Sequence, residues 1–172
     1  YEILDNFLEL ITYGFTNPMP TTKSGPFMLT AKDIKNGKIN YDTARHTDVK
    51  SFDDLLTKKS KPIIDDVLIT KDGTIGRVGI VDVEGVCINQ SVALLRTNER
   101  IRPKFLKFLL ESSGYQKLIE RDVGGTTIKH IYITRINKML VGIPSINEQD
   151  KILEILTAVD DKIELNLQMN KT

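Results

Sequence analysis

Apolar residues in this chain come in short bursts, separated by polar joints rich in glycine and proline. That is the pattern of short strands and a few helices. Residues 2–14 form a short amphipathic start ending at Gly14. Gly14 to Gly25 holds Pro18, Pro20 and several Ser/Thr, with Pro26 just beyond, and reads as a loop. Phe27–Thr30 reads as a short strand. Residues 35–50 are polar, Asn36-Gly37 marks a turn, and Ser51 is placed to cap a helix over Phe52–Lys58. Asp66–Lys71 and Ile75–Val81 are the strands of a hairpin turning at Asp72-Gly73. Gly76 and Gly79 predict a bend, or close approach of another backbone, in its second strand. Cys87–Thr97 reads as a third strand interrupted by Asn89-Gln90-Ser91.

Pro103 suits a helix first turn, and Phe105, Leu106, Phe108, Leu109 and Leu110 bury that helix to about Ser112. Gly114 breaks it, and a helix resumes over Tyr115–Arg121. Gly124-Gly125-Thr126-Thr127 reads as a turn, Thr134–Lys138 as one helical turn, and Met139–Ile143 as a strand stopped by Pro144. Beyond it, Ser145 with Glu148, or Asn147 with Asp150, offers a capping box for a last helix. There Ile152, Leu156, Val159 and Ile163 alternate four- and three-residue steps, a coiled-coil seam rather than a broad stripe. Asn166 and Asn170 occupy the next two seam positions. The seam is still open at Thr172, so the helix is expected to be longer in nature or to pair with another chain. The whole reads as α+β: residues 1–146 a domain of short, mostly antiparallel strands and hairpins with several helices, and residues 147–172 a long helix.

Composition changes this picture little. Of the residues 40% are hydrophobic and 27% charged, enough for one core and too many apolar groups for disorder. No apolar run approaches the roughly 20 residues that span a bilayer. The single cysteine, Cys87, fits a reducing cytoplasm. The net charge of +1 is unevenly spread: residues 147–172 carry −3, which leaves +4 on the rest. Nucleic acid is a reasonable partner only if that charge gathers on one face.

Catalytic patterns are weak. Gly73-x-x-Gly76-x-x-Gly79 has the wrong spacing for a dinucleotide loop and leads into no helix. Asp33-Ile34-Lys35 and Asp48-Val49-Lys50 resemble half of a metal-dependent nuclease site, but lie outside apolar strands and read as solvated loop charges. His46, His130 and Cys87 have no metal-ligand spacing. Two features suit anion or base contact instead. Gly124-Gly125-Thr126-Thr127-Ile128-Lys129 offers backbone N–H groups, hydroxyls and one charge. Asn89-Gln90-Ser91 offers carboxamides of the kind that meet adenine or phosphate, or else forms a plain strand bulge.

In order, Asp66-Val67-Leu68-Ile69-Thr70-Lys71-Asp72-Gly73-Thr74-Ile75-Gly76-Arg77, Ile88-Asn89-Gln90, Gly124-Gly125-Thr126-Thr127-Ile128-Lys129 and Ile143-Pro144-Ser145-Ile146-Asn147-Glu148-Gln149 cover most of the chain. Together they resemble one target-recognition domain, with its following spacer helix, of the specificity (S) subunit of type I restriction–modification systems. Pro144-Ser145 stands where the family often has two prolines. Family members usually carry two such domains and two spacer helices; this chain has one of each.

The resemblance implies a non-catalytic reader of one half of a split target in double-stranded DNA. Modification subunits would bring S-adenosylmethionine and adenine methylation, and a restriction subunit ATP- and magnesium-dependent cleavage, so this chain needs no cofactor. Lys32, Lys71, Arg77 and Lys129 are the expected phosphate contacts, with Asn89, Gln90, Thr126 and Thr127 beside them. Base readers are expected in the loops Thr16–Ser24 and Lys35–Lys50. The spacer helix is expected to pair through Ile152, Leu156, Val159, Ile163 and Asn166, within the subunit or as a homodimer. Two alternatives stay open: an assembly module whose main property is helix-mediated dimerisation, and the recognition domain of a fused restriction–methylation enzyme.

Overall fold

The computed structural model describes residues 1–121 and 130–169. In chain order the strands and helices are β1 (Glu2–Ile3), β2 (Leu8–Tyr13), β3 (Thr22–Leu29), β4 (Ile34–Lys35), β5 (Lys38–Ile39), β6 (Arg45–His46), α1 (Val49–Leu55), β7 (Val67–Thr70), β8 (Val78–Ile80) and β9 (Val86–Ile88). Then come β10 (Val92–Thr97), α2 (Pro103–Glu111), α3 (Ser113–Arg121), α4 (Ile133–Ile136), β11 (Leu140–Val141) and α5 (Ile146–Met169).

The centre is an antiparallel sheet ordered β2-β10-β7-β8. Its two middle strands are buried on both faces, which is why their sequences read as continuous apolar runs. Alternation still sorts the side chains. Val67, Ile69, Ala93 and Leu95 face one core with Leu106, Leu110 and Ile119 of α2 and α3. Leu68, Val92 and Leu94 face a second core with Leu29, Val86 and Ile88. Behind that second core lies a three-stranded sheet, β6-β3-β9, whose β3–β9 pair is parallel. Strands are thus mostly antiparallel in an α+β fold, as expected.

Several boundaries differ from the expectations, each for a local reason. β3 begins at Thr22, inside the expected loop, because a register shift between Thr22 and Phe27 absorbs Gly25 and Pro26. Cys87–Thr97 is two strands in two sheets, and Asn89-Gln90-Ser91 carries the chain between them. The cap of α1 is Asp48, whose carboxylate accepts the Ser51 N–H at 2.8 Å; Ser51 is already inside the helix. At Gly79 the close neighbour is a side chain rather than the expected backbone: a Cβ there would lie 2.9 Å from the Ile39 side chain, so β5 rests directly on β8.

At the far end, Ser145 and Glu148 form the cap of α5, with the Ser145 N–H and hydroxyl donating to Glu148 at 3.0 and 2.6 Å. Asp150 is used elsewhere, in a two-bond ion pair with Arg102. Leu153 packs on the first core. Ile152, Ile155, Val159 and Ile163 stay substantially exposed, and Leu156 is half-buried. Among the described residues no helix is long and apolar enough to cross a membrane.

Candidate nucleic-acid interface

The tip of the β7–β8 hairpin is held by Thr70. Its hydroxyl accepts the Arg77 N–H at 3.0 Å and donates to the Thr74 carbonyl. Gly76, at φ +84°, packs against Gln116 of α3, which donates to its carbonyl at 2.9 Å. A left-handed backbone there is natural only for glycine. The result is a fixed tip that sets Arg77 at the edge of an open cleft of about 960 Å³.

Facing that tip across the cleft is the turn Thr30–Lys35. Asp33 holds it: its carboxylate accepts from the Thr30 N–H (2.8 Å), the Thr30 hydroxyl (2.9 Å) and the Thr43 hydroxyl (3.0 Å). Asp33 is only 4% exposed. The expectation of a solvated loop charge is therefore corrected. Asp33 lies outside an apolar strand, but its partners come from a 3₁₀ turn and a second loop that close over it. Ser91 joins this turn to the central sheet by accepting the Ala31 N–H at 2.9 Å.

Four cations line the cleft: Lys32, Lys35, Arg45 and Arg77. The first three are exposed. Arg77 is half-buried, with one guanidinium nitrogen donating to the Ile34 carbonyl at 3.4 Å. Against them stand two carboxylates. Asp33 is engaged by three donors, and Asp72 pairs with Lys71 at 2.9 Å. The cleft therefore presents net positive charge beside hydroxyls of Thr30, Thr43 and Thr74. Arg45 and Asn89 also border an adjoining hollow of about 270 Å³, lined by Phe15, Thr16, Asn17 and Gln90.

The structure brings together Lys32, Arg77 and Asn89, with Gln90 in the adjoining hollow. Lys71 lies apart from them, ion-paired and 5.3 Å from the centre of the Tyr13 ring. The Asn89 side-chain oxygen accepts from the Ser91 N–H (3.1 Å) and hydroxyl (2.6 Å), so only its amide nitrogen is left to face the cleft. Thr126, Thr127 and Lys129 lie outside the described residues, as does Asn170. The next described residue, His130, bridges to Asp72, and the Ile131 N–H donates to the Lys71 carbonyl at 2.9 Å. Lys35 and Arg45 were expected only as members of the base-reading loop Lys35–Lys50, not among the phosphate contacts; the run of cations from Lys32 to Lys50 was the available signal.

Among the described residues no three His, Cys, Asp or Glu gather to hold a metal. Cys87 is buried among Met28, Leu56 and Phe52, and burial pushes its thiol up to about 12. It is a core residue, not a nucleophile.

A family model described as the type I restriction modification DNA specificity domain matches residues 19–172. The chain is 30% identical to the EcoBI specificity subunit of Escherichia coli over 171 residues, which cover 94% of this chain and 35% of that protein. It is 35% identical over 95 residues to the HindI specificity subunit of Haemophilus influenzae, covering 53% of this chain and 20% of that one. In fold it is similar to a chain solved in work on complex assembly and conformational transition of the type I R–M system (TM-score 0.75, 16% identity, 98% of this chain and 40% of that one). It is also similar to the HsdS subunit from Thermoanaerobacter tengcongensis (TM-score 0.71, 17% identity, 98% and 38%). The chain thus spans about a third of the E. coli relative's length.

Proposed function

This chain belongs to the family of type I restriction–modification DNA specificity domains, and on that premise we propose that it reads one half of a split DNA target and does no chemistry itself. The observation that carries this reading is the cleft between Thr30–Lys35 and the β7–β8 tip, with Lys32, Lys35, Arg45 and Arg77 on its walls. Lysine and arginine so placed neutralise backbone phosphates, and that term supplies affinity without sequence preference. Preference comes from polar side chains reaching base edges, here from Lys35–Lys50, Thr16–Ser24 and the amides of Asn89 and Gln90. Lys71, Thr126, Thr127 and Lys129 complete the proposed contact set. Methylation and cleavage fall to modification and restriction subunits, which bring S-adenosylmethionine, ATP and magnesium.

On this reading residues 1–146 are the recognition domain, and residues 147–172 are a spacer that pairs with a second helix. The exposed Ile152, Ile155, Val159 and Ile163 favour that pairing. It makes assembly a second function of the same chain: a one-domain reader gains its other half-site from a symmetric copy or from a second domain. The test is sequence-resolved binding by the chain assembled with its modification subunit. Salt-sensitive binding that prefers one split motif is expected. Equal binding to all duplexes would remove the reading.

A further inference from the structure

The Glu148-Gln149 pair of the motif that opens α5 splits into two jobs. Glu148 caps the helix, whereas Gln149 is completely buried and bonds away from it. Its side-chain oxygen accepts the Arg102 N–H at 2.8 Å. Its amide nitrogen donates to the carbonyls of Arg100 at 3.0 Å and Pro144 at 2.9 Å. One side chain thus pins three backbone groups, two of them on the turn that starts α2. No water reaches this point to replace a lost bond, so the alternatives to this geometry are unsatisfied groups.

Among the described residues, the other ties named for α5 are looser. Arg102–Asp150 is a half-exposed surface pair, and Lys107–Asp160 is a long contact at 3.8 Å. Leu153 supplies apolar packing without direction. Gln149 is the directional tie, and α2, to which it ties α5, also meets the β4–β5 turn that follows the cleft residue Lys35. Its Lys107 and Glu111 lie under Gly37 in the β4–β5 turn, where a Cβ would sit 2.9 and 2.8 Å from them.

The geometry points to Gln149 as the positioning residue that fixes the direction of α5 relative to the DNA cleft, and through it the spacing at which two half-sites are read. This rests on the half-site reading above. The lever is long: the 24 residues of α5 extend about 36 Å. A swing of about 10° at its first turn moves the far end by about 6 Å, nearly two base-pair steps of about 3.4 Å. A modest loosening at Gln149 is therefore enough to change which spacer fits.

The test methylates a randomised duplex library with the full chain plus its modification subunit and reads half-sites and spacer length by sequencing. Wild type is expected to show one spacer length. Gln149→Ala is expected to keep the same half-sites but lose the single-spacer preference, accepting spacers one or two base pairs away. Should that variant fail to fold, Gln149→Glu keeps the acceptor for Arg102 and removes both donations. A second readout is independent of catalysis: the distance distribution between spin labels at Lys58→Cys and Lys162→Cys, diluted with unlabelled chain. It should be narrow with Gln149 and broad without it. A single spacer and an unchanged narrow distance in both variants would overturn the latch while leaving half-site reading intact. A wild-type complex with no fixed spacer would overturn the half-site reading and the latch with it.

Discussion

Thr43 donates its hydroxyl to the Asp33 carboxylate at 3.0 Å, tying together the two turns at the base of the β4–β5 hairpin, both of which wall the cleft. Because Asp33 also accepts from the Thr30 backbone and hydroxyl, its removal leaves the half-buried Thr30 N–H without its acceptor and loosens both turns. Asp33→Ala is expected to cost about 2–3 kcal/mol, and Thr43→Val about 1 kcal/mol. Urea unfolding checks both: the midpoint should fall at constant slope. DNA affinity should fall further than stability accounts for, because Lys32 and Lys35 lose their fixed backbone. Unchanged affinity in a folded Asp33→Ala chain would dissociate this carboxylate from the cleft.

Lys32 and Arg45 are both exposed cleft cations, yet they stand in different places. Lys32 lies on the outer turn, and Arg45 lies between the cleft and the smaller hollow beside Asn89. Lys32→Ala should weaken binding to all duplexes alike and lower the slope of log K against log salt by about 0.9. Arg45→Ala should instead relax the choice of one base at one position, at a cost of about 1–3 kcal/mol against the preferred sequence. Binding titrations across salt concentrations and single-base variants separate the two. A uniform loss for Arg45→Ala would reassign it to phosphate.

The contrast with what could be read beforehand is physical. Val67–Ile69 was legible because an apolar run of branched residues acts between neighbours in sequence. So was the Ser145–Glu148 cap, a contact across three residues. The hairpin was legible too, but its turn is not the expected Asp72-Gly73 pair: residues 71–77 form a wider loop in which Asp72 is drawn to His130, and the return strand begins only at Val78. Asp33 looked solvated because its burial depends on Thr43, ten residues on. Gln149 offered no signal for its buried role because Arg102 lies 47 residues away. The cations near the cleft were visible as a cluster; that Lys71 would spend its charge on Asp72 was not.

The first turn of α5 should be sensitive to acid. The Ser145 hydroxyl and N–H hold the Glu148 carboxyl below its ordinary range, and the Arg102 guanidinium does the same for Asp150. A carboxyl lowered on folding contributes stability that is full above its unfolded pKa, near 4, and is lost as pH falls through the folded value. Docking of α5 should therefore loosen as pH falls below about 4, the ordinary carboxylate range, earlier than the sheet unfolds. Hydrogen exchange in residues 146–152 checks this. Glu148→Gln with Asp150→Asn should remove the pH dependence and leave α5 equally loose at neutral pH. The same pH profile in the double variant would place the acid-sensitive group elsewhere.

Ile163 is 52% exposed and Val159 49% exposed on a helix whose first turns are firmly docked, so the far half of α5 presents an apolar seam to whatever lies beside it. Covering the exposed half of such side chains yields roughly 1 kcal/mol each, which summed along the seam of two helices works against the cost of association. Ile163→Asp places a carboxylate in that seam and, in a symmetric pair, sets two close together, while the docked end of α5 is untouched. Sedimentation of the wild-type chain should give the mass of two copies at micromolar concentration, and the variant the mass of one. Asn166 works the other way: a polar seam position costs stability and fixes register. Asn166→Leu should tighten association while admitting larger assemblies. A single-copy mass for wild type, unchanged in both variants, would remove self-pairing through α5 and leave the seam to a helix of another sequence.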